Sequence, residues 1–482
     1  MNYKRPKRFD TNLLVIGAGS AGLIAALIAA TVRAKVTLVE QSRMGGDCLN
    51  TGCVPSKTLI RSAKIAHYLH DAQRYGLRNV TGEVDFPAVM QRVRDAIATI
   101  APNDSIERYT SLGVDCVTGT ARLVDPWTVD VGGRRITGRN IVLASGATPF
   151  VPPIPGLTGI QALTSDNVWT LQQLPRRLVV MGAGPIGCEL AQSFARLGSQ
   201  VTLIDMADRI LPKEDEDVAT LVTSVLRDEG VTVLTGHKAE RFENGAANTL
   251  FASHGGREVA IEFDEVLVAV GRRAHTASLG LAELGIELNR DGTLVVDQYM
   301  RSSVPNIFAC GDVAGPYQFT HMASHQAWYA AVNALFGRLR KFKVNYAVVP
   351  WATYTDPEVA RVGLSEDEAG AAGIAVEVTR HSLAHVDRAI ADGETRGFIK
   401  VLTRPGTDRV LGATIVAPQA GELIAEYVLA MTHGLGLKSL MGTIHVYPTS
   451  AEINKFAASA WRRRHAPTRL LDIAARYHAL WR

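Results

Sequence analysis

Cys48 and Cys53 are separated by four residues in a glycine-containing run, residues 45–57, that ends in Lys57. Two cysteines at that spacing at a helix start can reach disulfide geometry. A helix N-terminus and a nearby ammonium group lower a thiol pKa, which makes the thiolate available. The chemistry this points to is reversible dithiol–disulfide exchange, with Lys57, one helical turn beyond Cys53, supplying positive charge. An ordinary solvated helix residue is the lesser alternative for Lys57. A metal site is the competing reading of the pair, but zinc needs two further ligands of suitable spacing. The other cysteines, Cys116, Cys188 and Cys310, lie singly in apolar runs, where a small buried side chain accounts for them.

Electrons for such a pair need a carrier, and two glycine loops offer sites for one. Gly17, Gly19 and Gly22 follow an apolar strand, residues 13–16, and open an alanine-rich helix, residues 23–31. In that context glycines permit a tight turn and close backbone approach, so that a pyrophosphate sits on helix N–H groups. Glu40, at the end of the next strand, residues 36–39, is placed to accept hydrogen bonds from a ribose. The same order returns with strand 178–180, Gly182, Gly184 and Gly187, a helix through Leu197, strand 201–204 and Asp205. A carboxylate there pairs with the free 2′-hydroxyl of NAD(H) and repels a 2′-phosphate, which favours NAD(H); Arg209, four residues on, keeps NADP(H) open. Two dinucleotide loops in one chain suit a nicotinamide that hands hydride to a flavin.

The elements that position these residues imply an α/β fold with two Rossmann-like dinucleotide-binding domains and a C-terminal mixed α+β domain. A chain of 482 residues holds about three domains. Pro152, Pro153, Pro155 and Gly156 mark the first boundary. Residues 289–315 return to strands and turns before a helix over 320–336; from Tyr346 onward come mixed strands (397–402, 410–416) and a helix over 420–431, with no further phosphate loop. The expected division is 1–152 and 276–345 for the first nucleotide domain, 153–275 for the second, 346–465 for the third, and 466–482 for a basic tail. Hydrophobic residues make up 47% and charged residues 20%, which excludes disorder and fibrous classes. Lys plus Arg exceeds Asp plus Glu by 51 − 47, a net +4, too small a bias for a nucleic-acid partner. The most apolar stretch, residues 23–32, is about half a bilayer crossing, so no membrane span is expected. The charged run 2–9 carries no apolar signal region, which points to the cytoplasm. The segment 461–482 reads as a short amphipathic basic helix that docks on its own domain rather than on a membrane.

The run 45–57, both glycine loops, and residues 141–149, 268–273, 307–312 and 355–363 together resemble the class I pyridine nucleotide-disulfide oxidoreductases. The resemblance covers most of the chain. It implies FAD at the first loop, with Gly46, Gly146 and Asp312 beside it, NAD(P)H at the second, with Gly271, and a homodimer built by the C-terminal domain. It also implies that Cys48 attacks the substrate, that Cys53 faces the flavin, and that Lys57 lies near the flavin paired with Glu189. His321 then packs by the flavin and His325 is a surface or core residue, in preference to a metal pair. Disulfide-reducing members carry a His five residues before a Glu; here Tyr447 occupies the His position and Glu452 is kept. A phenol of ordinary pKa near 10 cannot cycle a proton at neutral pH as an imidazole near 6.5 can. His445, two residues away, is not expected to take over that role. The expected function is therefore mercuric reductase-like transfer from NAD(P)H through FAD and the cysteine pair to a thiophilic metal ion or quinone-like acceptor. Dihydrolipoamide dehydrogenase is the alternative, and a non-catalytic flavoprotein scaffold the alternative from another class.

Overall fold

Continuous apolar runs such as Leu13, Leu14 and Val15, all wholly buried, suit parallel strands covered on both faces. In the computed structural model, which describes residues 3–482, Thr11–Ile16 pairs in parallel with Val36–Glu40 on one side and with Arg134–Leu143 on the other. Asn2, which opens the charged N-terminal run, lies outside the described residues. Val114–Thr118 extends one edge, and Ile307–Ala309 pairs with Arg134–Leu143, so chain from beyond residue 300 completes a sheet begun at Thr11. Helices Ser20–Thr31 and Thr320–Phe336 pack on each other against this sheet.

A second parallel sheet places Arg177–Met181 between Gln200–Ile204 and Glu265–Val268, with Thr232–Leu234 outside. An antiparallel meander, Lys238–Glu243, Asn248–His254 and Arg257–Phe263, lies between its last two strands in sequence. Both sheets belong to one compact unit, which runs to Asp208 and resumes over Glu229–Asn345. The third glycine of each loop sets the fit of helix on strand. A Cβ on Gly22 would lie 1.7 Å from the Gly17 carbonyl oxygen, and one on Gly187 would lie 1.8 Å from the Gly182 carbonyl oxygen. No side-chain rearrangement relieves a clash with backbone.

The second unit consists of Arg209–Asp228 and the chain from Tyr346 to Arg482. Its sheet is antiparallel throughout, in the order Pro350–Thr353, Glu358–Gly363, Val410–Ala417, Phe398–Thr403 and Glu377–Ser382. Ile399, Val401, Ile415, Tyr427, Ile453 and Trp461 fill the core between sheet and helices. Lys400 is buried on a central strand, and its ammonium meets Asp215 at 2.7 Å and Asp217 and Glu366 at 2.8 Å. A buried charge needs such partners. Through Asp215 and Asp217 they bind the 209–228 segment to this sheet.

Two expectations change here. The helix expected over 420–431 is broken at Ile424 into Ala420–Leu423 and Ala425–Thr432. The Asn454 side-chain amide donates to the Leu423 carbonyl at 3.1 Å, supplying a partner from outside the helix. The tail forms the expected helix, Thr468–Ala479, but none of its residues is buried, so it does not dock on its own domain as the sequence suggested. Among the described residues no helix is long and apolar enough to cross a membrane.

Gly22→Ala and Gly187→Ala should each lower stability by about 1–3 kcal/mol, the range for a methyl forced into a packed contact. Gly184→Ala, whose methyl would meet no atom within 4 Å, should cost less. Urea unfolding of the three variants checks the order.

Candidate active site

Cys48 lies in a short helix, Gly46–Asn50, and Cys53 is the first residue of the long helix Cys53–His70. Gly46 holds the cysteine run against the first glycine loop, because a Cβ on Gly46 would come within 2.6 Å of the Gly19 Cα. Both cysteines are present as free thiols, Cys53 exposed and Cys48 partly buried. They are hydrogen-bonded neighbours, and their pKa values move in opposite directions. The bond from Cys48, resisted by burial, joins with Thr320 and the charge of Lys57 to bring Cys53 down to about 6. The bond to Cys53, burial and the nearby Cys53 charge push Cys48 far above the ordinary thiol range. The reduced pair thus carries one thiolate, on Cys53, and one proton, on Cys48.

Three fixed features favour charge on the Cys53 sulfur. Lys57 sits one turn along the same helix, and its ammonium donates to Glu189 at 2.8 Å. Glu189 is buried in the helix Pro185–Leu197, which opens at the second glycine loop, so this ion pair links the two loop regions. The Thr320 hydroxyl lies 3.3 Å from the Cys53 sulfur. Thr320 also opens a 17-residue helix, so two helix N-termini, its own and that of Cys53, meet at the sulfur. Sequence reasoning placed a helix start at Thr320 but weighed only His321 and His325 within it. A hydroxyl as the first residue after the Asp312 loop was the available signal.

Both glycine loops end in helices suited to a pyrophosphate. Gly19 and Gly184 cap Ser20–Thr31 and Pro185–Leu197 in extended conformation, no side chain caps either helix, and neither first turn carries an acid. The leading N–H groups and the positive helix end therefore suit an anion. Glu40 accepts from the Ala18 amide at 2.6 Å and the Ser42 amide at 2.8 Å, and Asp205 accepts from Ala183 at 2.6 Å and Ala207 at 2.8 Å. Each carboxylate thus braces the loop beside it.

Gly17 and Gly146 follow the paired strands Thr11–Ile16 and Arg134–Leu143, and Gly182 and Gly271 follow Arg177–Met181 and Glu265–Val268. In each sheet, then, the glycines gather at the carboxyl ends of adjacent parallel strands, where such sheets bind ligands. Asp312 follows Ile307–Ala309, and burial pushes its carboxyl up to about 6 against the pull of Arg272, 3.9 Å away. Arg272 also contacts Asp47 beside Cys48 and donates to the Ala147 carbonyl at 2.6 Å. Sequence reasoning passed over it. These donors and acceptors fit two dinucleotides, one at each loop.

Tyr447 and Glu452 lie in the second unit. The Tyr447 ring is 66% exposed, and its hydroxyl donates to Asp387 at 3.0 Å, a bond that raises the phenol above its ordinary pKa. Glu452 is buried at the start of Glu452–Arg464. The His445 side chain is 6% exposed, with Nε2 3.0 Å from Glu426 and Nδ1 3.0 Å from the Thr443 carbonyl. Both ring nitrogens are engaged. His325 meets the Asn345 carbonyl at 3.1 Å and His321 stacks on Phe319. Among the described residues no group of three or more His, Cys, Asp or Glu side chains could hold a metal. Cys188 and Cys310 are fully buried, and Cys116 is half-buried.

Residues 11–327 match the pyridine nucleotide-disulphide oxidoreductase family model, and residues 349–458 match the dimerisation domain of the same family. Similar curated proteins include a mercuric reductase of Bacillus cereus, 35% identical over 93% of this chain and 71% of that protein. A dihydrolipoamide dehydrogenase of Chaetomium thermophilum is 36% identical over 94% of this chain and 91% of its own length. Among solved structures, the Cu(II) complex of the HOCl-induced flavoprotein disulfide reductase RclA from Escherichia coli has a TM-score of 0.83 at 30% identity, covering 93% of this chain and 99% of that one. The two loops, the paired thiols and these matches agree, and the chain belongs to the pyridine nucleotide-disulphide oxidoreductases, a family of FAD-dependent enzymes.

Proposed function

We propose that the protein is a cytoplasmic homodimeric NADH oxidoreductase that delivers electrons from its cysteine pair to a thiophilic metal ion or a quinone-like acceptor rather than to a peptide-scale disulfide. The observation that carries this reading is the state of residues 445–447: a phenol tied to Asp387 stands where disulfide-reducing members have an imidazole, and His445 is committed to Glu426 and Thr443.

The first loop, with Gly46 and Asp312 beside it and Glu40 at the ribose end, would hold FAD, which would supply two-electron transfer between reduced nicotinamide and the Cys48–Cys53 disulfide. The chain's own residues then divide the charge. Cys53, with its pKa near 6, holds the thiolate beside Lys57 and Thr320, while Cys48 keeps the proton. Passing the electrons on requires that proton to leave Cys48. Dithiol–disulfide exchange needs a base of imidazole-like pKa for this. A soft metal ion displaces the proton from sulfur by binding it, and so needs no such base. Mercuric reductases among the relatives and the Cu(II) complex of the structural relative support this acceptor class. The dihydrolipoamide dehydrogenases, 36% identical, keep lipoamide as the second reading.

The nicotinamide preference rests on Asp205, whose carboxylate stands at the ribose end of the second loop, and on Arg209, which pairs with Asp367 at 2.6 Å. A 2′-phosphate beside Asp205 meets negative charge, and Arg209, four residues on in the chain, is already partnered within the second unit.

Lipoamide and glutathione disulfide should be poor substrates for the wild type while mercuric ion or quinones are reduced. Tyr447→His should raise lipoamide turnover by a sizeable part of the roughly 10²–10⁴-fold that general acid–base catalysis provides. Robust wild-type lipoamide turnover, little changed by Tyr447→Phe, would establish the second reading instead. For the nicotinamide, kcat/KM should favour NADH over NADPH, and Asp205→Ala should narrow the ratio; a wild-type preference for NADPH refutes the assignment.

A further inference from the structure

The C-terminal helix Thr468–Ala479 forms a complete amphipathic face that the chain itself leaves uncovered. Leu470, Ile473, Ala474 and Tyr477 recur at i, i+3, i+4 and i+7, one stripe of a helix, and Leu480 and Trp481, at i+10 and i+11 in the turn that follows it, continue the same pattern. Leu470 is 62% exposed, Ile473 61%, Tyr477 57% and Trp481 76%. Arg469 and Arg476 border the stripe on its Ile473 side, four residues before and three after it, with Asp472 as the one acid between Trp461 and Arg482.

A second feature lies immediately before this helix in the chain. Thr379 and Arg380, on the edge strand Glu377–Ser382, and Ala460, Arg463 and Arg464, on Glu452–Arg464, line an open cavity of about 430 Å³. Arg380 is stacked on the Phe398 ring at 3.8 Å and stands 3.6 Å from Asp217, so part of its charge is neutralised. Arg464 donates to the Thr379 hydroxyl, and among the described residues no carboxylate pairs with Arg463 or Arg464. The nearest acid in sequence to that strand's start, Glu377, is taken by His465 at 3.1 Å. Only three residues, 465–467, separate the arginine cavity from the amphipathic helix.

We propose that these two features together seat the protein on a surface of anionic phospholipid, with the apolar stripe in the headgroup–acyl boundary and a lipid phosphate between Arg463, Arg464 and Arg380. The charge is complementary to such a surface and to no neutral one, because Arg462, Arg463, Arg464, Arg469, Arg476 and Arg482 face a single Asp472 in this stretch. An exposed apolar stripe with Tyr and Trp on it and Arg on the polar face is the composition that lies in a bilayer interface. Basic groups beside it strengthen binding in proportion to surface charge. The attachment is peripheral, since the helix is 12 residues long and none of the described helices can span a bilayer.

The test is flotation of the holoenzyme with vesicles of phosphatidylcholine alone or mixed with phosphatidylglycerol. Binding to the anionic vesicles should exceed binding to the neutral ones by about tenfold or more and fall with added salt. Ile473→Glu combined with Leu480→Glu should abolish flotation, and Arg463→Gln combined with Arg464→Gln should reduce it by about tenfold. In both variants the NADH-dependent rate in solution and the sedimentation mass should be unchanged. Equal binding to neutral vesicles, or none to either, overturns the proposal. A lower mass for the Ile473→Glu and Leu480→Glu variant also overturns it, since a second copy of the chain then covers the stripe.

Discussion

Negative charge on the Cys53 sulfur is the constraint from which the arrangement of the first unit follows. A thiol carries charge at neutral pH only where hydrogen-bond donors and positive groups outweigh the cost of partial burial. Here those groups come from three stretches of chain: Cys48 from the short helix before it, Lys57 from its own helix, and Thr320 from a helix more than 250 residues away. Thr320 is within reach because Ile307–Ala309 pairs with Arg134–Leu143 and so starts the last segment at the same end of the sheet as the first glycine loop. Lys57 is held by Glu189, which belongs to the second nucleotide region. The parallel sheets act as the frame that brings these stretches to one sulfur.

The same logic explains why the partners differ so much in acidity. One charge shared between two adjacent thiols settles on the one with more donors, and the other is then held protonated by its neighbour's charge as well as by burial. Polarised in this way, the pair stores its second proton on Cys48, the residue nearer Asp47 and Arg272. On the proposed function, how that proton leaves decides which acceptors the enzyme serves. This is why the replacement of an imidazole by Tyr447 bears on function more than any other departure in the chain.

Much of this was legible in the sequence, because the relevant signals are local. Alternation of strand, glycine turn and helix gives both nucleotide loops, and the helix over Thr320–Phe336 ends where its apolar pattern ends. The roles of Thr320 and Arg272 were not legible, since each depends on a contact made across distant segments. The break at Ile424 was hidden for the same reason: the Leu423 carbonyl beside it is met by the side chain of Asn454, thirty residues beyond Ile424. The tail shows a different failure. Its pattern correctly gives an amphipathic helix, but periodicity says only that one face is apolar, not what covers it.

The most direct measurement of the central claim is the pH dependence of the Cys48–Cys53 dithiol–disulfide potential, determined by equilibration with a thiol redox buffer. If Cys53 is a thiolate with a pKa near 6 and Cys48 retains its proton, reduction takes up one proton above that pH and two below it. For a two-electron couple the potential should fall by about 30 mV per pH unit between roughly pH 7 and 9, and by about 59 mV per unit below roughly pH 5. A slope of about 59 mV per unit continuing through pH 8 would mean that both thiols are protonated there, and would contradict the account.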